Sequence, residues 1–196
     1  MAALAPFVVA VSGTSGAGKS TLVQGLAATF TGTGRPVVCL HFDHYAPSFP
    51  EDVASWVRRG ADPNEWRTER LVDALVARRG ETSEPRTLIL LEEPFGRART
   101  AMQPLVDLAV HIDLPLGDSL ARRLLRDFVP EAGETTRRDL DRLRTYLHQY
   151  VDGGGAAYEA IDDLARQSSD VVLDGRCDRD ELAERARSEV ESRLAW

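Results

Sequence analysis

The chain is poor in lysine: of the 24 basic residues among its 196, Lys19 alone is lysine and the other 23 are arginine. It is poor in cysteine too. Cys39 and Cys177 stand far apart in no C-x-x-C or metal-like spacing, which excludes a disulfide framework and suits a reducing cytoplasm. Basic charge is outweighed, with 31 acids leaving a net charge of −7, so a dedicated nucleic-acid binder is not expected. No apolar run approaches the roughly 20 residues that a membrane span needs. The apolar opening Met1–Val11 lacks a basic leader and runs straight into a glycine loop, so it reads as a strand rather than a signal peptide. There is no internal repeat, low-complexity tract or long linker. Residues 1–196 are therefore expected to form one domain, cytoplasmic, without nucleic-acid or membrane partners; a homo-oligomer is compatible with all of this.

What is present has a clear rhythm. Pro6–Ser12, Arg35–Phe42, Thr87–Leu91, Leu108–Asp113 and Val171–Leu173 are short continuous apolar runs, read as five buried strands. Between them lie helical periodicities at Lys19 to about Phe30, Glu51–Arg59, Trp66–Arg79, Asp118–Asp127, Thr136–Val151, Ala156–Gln167 and Arg179–Leu194. Gly153–Gly155 breaks the long helical stretch. Apolar strands alternating with helices predict an α/β domain, its parallel sheet covered on both faces.

The first strand runs into Gly13-Thr14-Ser15-Gly16-Ala17-Gly18-Lys19-Ser20-Thr21, which fits G-x-x-x-x-G-K-[ST] between a strand and a helix. The glycines let the backbone turn its N–H groups toward a phosphate at the positive end of a helix. Lys19 offers a compact ammonium to the β- and γ-phosphates, a role that a planar guanidinium fills poorly. Its survival against a general drift to arginine points the same way. Ser20 offers a hydroxyl to Mg²⁺. This predicts a nucleoside triphosphate site. A GTPase is excluded because its N/T-K-x-D guanine motif needs a second lysine; Asp152-Gly-Gly-Gly155 matches D-x-x-G only by letters.

At the end of the second strand, His41-Phe42-Asp43-His44-Tyr45 sets a carboxylate at the sheet edge where α/β proteins bind ligands. Asp43 is the candidate base for an attacking hydroxyl. A shared metal site from His41, Asp43 and His44 is disfavoured, because alternate strand residues face opposite ways. The third strand ends Glu92-Glu93-Pro94, and Glu92, nearer the strand, is the candidate carboxylate for Mg²⁺. Arg122, Arg123 and Arg126 crowd one helix end, where they can neutralise charge on a transferred phosphoryl group. Trp56 and Trp66 are candidates for an acceptor wall or for helix packing; Arg97 and Arg99 stand within reach of an anionic acceptor. His111 is read as a core histidine, and Tyr146, Tyr150 and Tyr158 as packing residues.

In this order the segments resemble the uridine kinase family of P-loop kinases, which includes phosphoribulokinase, pantothenate kinase and nicotinamide riboside kinase. GTSGAGKST is similar to the family's G-x-S-G-S-G-K-[ST]-T loop, FDHYAP to its D-x-[FY]-[YF] segment, LILLEEP to its strand ending Glu-Gly, LARRLLRD to its R-R-x-x-R-D lid and QSSDVVLDG to its final strand. Gly60-Ala-Asp-Pro-Asn-Glu-Trp66 loosely resembles its acceptor segment, with Asp62 displaced by one. The resemblance implies a P-loop NTPase three-layer sandwich with a five-stranded parallel sheet of order 2-3-1-4-5 and a helical lid at about 118–138. It implies Asp43 as general base, with Lys19, Arg123 and Arg126 as its catalytic companions. The phosphate loop and Arg122 would hold ATP, Ser20 and Glu92 would serve Mg²⁺, and His44, Tyr45, Asp62 and Trp66 would bind a small hydroxyl-bearing acceptor. The expected activity is Mg·ATP-dependent phosphoryl transfer to a nucleoside or another sugar-containing metabolite. The alternative is a regulatory ATPase or nucleotide-binding protein without such an acceptor.

Overall fold

The computed structural model describes residues 5–45, 47–80, 87–129 and 135–194. Residues 1–4, Ala46 and the 130–134 portion of the expected lid lie outside these. Five strands form one parallel sheet: β1 (Phe7–Gly13), β2 (Val37–His41), β3 (Leu88–Glu92), β4 (Leu108–Asp113) and β5 (Val171–Asp174). Their order is β2-β3-β1-β4-β5, the arrangement that the family resemblance implied. Among the described residues seven α-helices cover it: α1 (Lys19–Gly32), α2 (Val53–Arg58), α3 (Glu69–Gly80), α4 (Leu116–Phe128), α5 (Arg137–Gln149), α6 (Gly155–Gln167) and α7 (Arg179–Arg193). This is a P-loop NTPase sandwich with a helical lid. Among the described residues no helix is long and apolar enough to cross a membrane.

Strand alternation divides the core in two. Val9 and Val11 of β1 with Leu88 and Leu90 of β3 pack against Leu22 and Leu26 of α1 and Leu182, Ala186 and Val190 of α7. Val8, Ala10, Ile89 and Leu91 point the other way, onto Leu71 and Leu75 of α3 and Met102. The central strands read as unbroken apolar runs because both faces are covered. Fully buried side chains such as Leu90 and Ile112 are each worth about 1.5–3 kcal/mol.

Two boundaries near the cleft differ from the periodicity. β2 stops at His41 because the chain turns at once into a 3-10 turn, Phe42–Tyr45. The helix expected from Trp66 starts at Glu69. Asp62 caps a short turn, Pro63–Glu65, by accepting from the Asn64 N–H (2.9 Å), and Arg67 pairs antiparallel with Ser48, which holds Trp66 and Arg67 extended. The long helical stretch bends at Asp152–Gly153, where φ of Gly153 is +125° and an added Cβ would lie 2.7 Å from that of Ala54 in α2.

Candidate nucleotide and acceptor site

The carboxyl ends of β1, β2 and β3 open into a cleft of about 1100 Å³. Its floor is the phosphate loop, whose glycines are fixed by close packing. Gly13 and Gly16 have φ of +143° and +101°, and a Cβ on them would lie 2.8 Å from Ile112 O and 2.4 Å from Ser119 O. Only a residue without a side chain fits there. Gly18, at φ +100°, delivers the chain into α1. Lys19 Nζ donates to Thr14 O (3.2 Å), folding the side chain back over the loop. Burial lowers the Lys19 pKa, Glu92 and Asp43 oppose that, and Arg126 and Arg123 add to it.

Strand alternation decides which of the adjacent acids reaches the loop. Glu92 shares the face of Leu88 and Leu90, toward α1, and accepts from Ser20 Oγ at 2.9 Å. Its other oxygen, Oε2, lies 2.7 Å from His41 Nδ1; a carboxylate can only accept, so the histidine N–H donates. Glu93 turns to the opposite side and is fully buried. Arg99 Nη2 donates to it at 2.6 Å, and the Phe95 N–H at 3.2 Å. Burial pushes the Glu93 carboxyl up to about 7, with Arg99 the main opposing influence. Arg99 also donates to Trp66 O (3.0 Å) and Thr68 Oγ1, and its guanidinium lies 5.6 Å from the Phe42 ring and 5.8 Å from that of Phe95.

The expected site residues are brought together unevenly. Gly13 through Thr21, Asp43, Trp66, Glu92, Arg122, Arg123 and Arg126 all line the cleft. His44, Tyr45 and Asp62 do not. Tyr45 packs against the apolar cluster under α3, and Asp62 is occupied as a turn cap while its carbonyl accepts from Trp56 Nε1 (2.8 Å). His44 is exposed, its ring 5.1 Å from that of His41. Trp56 is buried packing, in edge contact with Trp66. Arg97 is held by Asp170 at 2.6 Å and Arg99 by Glu93, so neither is offered to an anionic acceptor. Among the described residues no three His, Cys, Asp or Glu side chains gather as a metal-binding group, so His41, Asp43 and His44 do not form one.

The three arginines of α4 are held differently. Arg122 donates to Gly175 O (3.3 Å), and Arg126 to Asp127 (2.7 Å), which raises the Arg126 pKa. Arg123 lies between the rings of Tyr146 (4.9 Å) and Tyr158 (5.2 Å) and donates to the Tyr158 hydroxyl. The tyrosines expected only to pack thus clamp a site arginine. His111 is fully buried, 3.2 Å from Ser12 Oγ and 3.4 Å from Asp162 Oδ1. Sequence reasoning missed Phe49, whose ring lies 5.0 Å from that of Trp66, and Pro94, Cys177 and Arg179, which also line the cleft. Their loops come together only through tertiary structure, although the final-strand motif ends just before Cys177.

No family model matches the chain. In sequence it is 24% identical over 202 residues to a uridine kinase of Leuconostoc citreum (strain KM20), a match covering 84% of this chain and 96% of the relative. Its fold is similar to a structure described as a possible uridine kinase from Bacillus stearothermophilus, with TM-score 0.52, 16% identity, and 89% and 91% of the two chains covered. It is also similar to shikimate kinase from Acinetobacter baumannii in complex with shikimate, with TM-score 0.51, 16% identity, and 97% and 96% covered.

Proposed function

We propose, from the chain's membership of the superfamily of P-loop kinases related to uridine kinase, that it is a Mg·ATP-dependent phosphotransferase acting on a hydroxyl of a small metabolite. The observation that carries this reading is the joint presence, in one cleft, of the phosphate loop, the Ser20–Glu92 pair and the exposed carboxylate of Asp43. A switch or motor ATPase shares the first two; the exposed Asp43 carboxylate, in a cleft also lined by Phe49 and Trp66, is what suits a hydroxyl acceptor.

In this reading the triphosphate lies along residues 13–21 with Lys19 and the α4 arginines on its terminal phosphates. The nucleoside end extends toward Cys177, Arg179 and Leu182. Mg²⁺ fits the donor set: a hydroxyl and a carboxylate 2.9 Å apart, both hard oxygen ligands, beside the loop. Ser20 and Glu92 would hold it, directly or through water, and when bound it supplies positive charge to the phosphate oxygens. Asp43 accepts the proton of the acceptor's hydroxyl. That oxygen bonds to the γ-phosphorus as the bond to the β–γ bridging oxygen breaks, and ADP leaves.

The acceptor end is formed by Phe49, Trp66 and Pro94 beside Asp43. Among the described residues lining the cleft, the cations come from the phosphate loop, α4 and the start of α7. An acceptor with an uncharged body, a nucleoside or another sugar-containing compound, suits that wall better than an acid or a sugar phosphate.

The test is ADP release from Mg·ATP across nucleosides, sugars, sugar acids and sugar phosphates, beside an acceptor-free control. Release with one acceptor class, lost by 10²-fold or more in Asp43→Asn while nucleotide binding persists, supports the kinase. Equal release in every well supports an ATPase and removes Asp43 from its role.

A further inference from the structure

Glu92 accepts a hydrogen bond on each of its oxygens. Ser20 Oγ lies 2.9 Å from Oε1. The partner on the other oxygen comes from the neighbouring strand.

His41 is the last residue of β2, and the parallel register sets it directly opposite Glu92 across the ladder, with both side chains on the same face of the sheet. Its Nδ1 lies 2.7 Å from Glu92 Oε2, the shortest contact that carboxylate makes. The pair is sheltered, with side-chain exposures of 25% for His41 and 16% for Glu92. A donor fixed on one oxygen stops rotation about the terminal torsion and leaves the other oxygen turned toward Ser20.

We infer that His41 is a positioning residue: it holds the Glu92 carboxylate turned toward Ser20, ready for a divalent cation. This rests on the reading of Ser20 and Glu92 as the Mg²⁺ side of the site. It assigns no chemistry to His41 itself, which touches neither the phosphate loop nor the acceptor wall in any hydrogen bond described above.

The experiment measures the affinity of the β,γ-imido analogue of ATP by calorimetry, in excess Mg²⁺ and in EDTA, for the intact chain and three variants. His41→Leu keeps bulk and removes the donor. His41→Asn keeps an N–H close to the position of Nδ1. Glu92→Gln benchmarks the metal reading. Thermal unfolding confirms that each is folded. His41→Leu is expected to reduce the Mg²⁺-dependent gain in affinity by about 10-fold, the lower end for loss of a group that orients a metal ligand. Affinity in EDTA should stay within about 2-fold, and His41→Asn should recover most of the loss. If His41→Leu keeps the full Mg²⁺ gain while Glu92→Gln loses it, or if His41→Asn is as impaired as His41→Leu, the positioning role is overturned. If Glu92→Gln keeps the full gain, the metal reading fails and this inference falls with it.

Discussion

Replacing Arg99 with methionine tests the buried charge pair behind the acceptor wall. Glu93 is fully buried, and Arg99 donates to it at 2.6 Å with 4% of its own side chain exposed. Removing the guanidinium leaves a buried carboxyl without a counter-charge, and such a group stays protonated instead of ionising. The sign with pH follows from Glu93, whose carboxyl is raised from 4.5 to about 7 in the folded protein. A raised acid binds more protons folded than unfolded, so its contribution to stability falls as pH climbs through that window, by about 3 kcal/mol. Without Arg99, which pulls the carboxyl down, the window extends higher. The variant should therefore lose about 1–2 kcal/mol at pH 5, where Glu93 is neutral and only the bonds to Trp66 and Thr68 are missing. Between pH 7 and 8 Glu93 ionises in the natural chain and stays protonated in the variant, which adds at most about 1.4 kcal/mol, so a loss of about 2.4–3.4 kcal/mol, or about 5–14 °C in Tm for a domain of this size, should appear at pH 8. Urea unfolding followed by tryptophan fluorescence at pH 5, 6.5 and 8 measures both. An equal loss at all three values, or less than about 1 kcal/mol at pH 8, would refute the argument that Arg99 draws the Glu93 carboxyl down.

Three further outcomes are expected. Gly16→Ala, at φ +101° and with its Cβ 2.4 Å from Ser119 O, should raise the Kd of the imido analogue by about 10-fold or more, since strain of at least 1.4 kcal/mol is spent against binding; a Kd within 2-fold by calorimetry contradicts this. Lys19→Arg, conservative in charge in a chain with 23 arginines, should lose a similar factor because the fork does not fit the loop; unchanged binding would undo the inference from the surviving lysine. Tyr158→Ala removes one face of the Arg123 clamp, worth about 1 kcal/mol, and should weaken the triphosphate analogue about 5-fold while ADP changes little; equal weakening of both would take Arg123 off the γ-phosphate.

The sheet was legible because a strand covered on both faces is largely apolar, as β1, β3 and β4 are up to their carboxyl ends. The glycine turn at Gly13–Gly18 was legible because its geometry needs glycine at fixed positions. Glu92 was distinguished from Glu93 by closeness to the strand, and the physical reason is alternation: the two acids point to opposite faces. Elsewhere the information is not local. Trp66 is extended, not helical, because Arg67 pairs with Ser48, nearly twenty residues earlier. Tyr45 packs inward and Asp62 caps a turn because neighbouring elements claim them. Arg99, within reach of an anionic acceptor on sequence grounds, is consumed by an acid six positions before it. Phe49, Cys177 and Arg179 meet only once the fold is complete.

Lys19 carries a consequence outside catalysis. It is the only side-chain amine in the chain, and the folded protein keeps it half-buried on the cleft floor with its pKa lowered. A lowered pKa leaves more of the amine unprotonated at neutral pH, the form that attacks acylating reagents, while the loop around it limits their approach. Any side-chain lysine adduct is therefore an adduct at the mouth of the phosphate loop. A mass increment on the peptide that holds Lys19, read apart from any on the α-amine, would report whether that loop is open or filled.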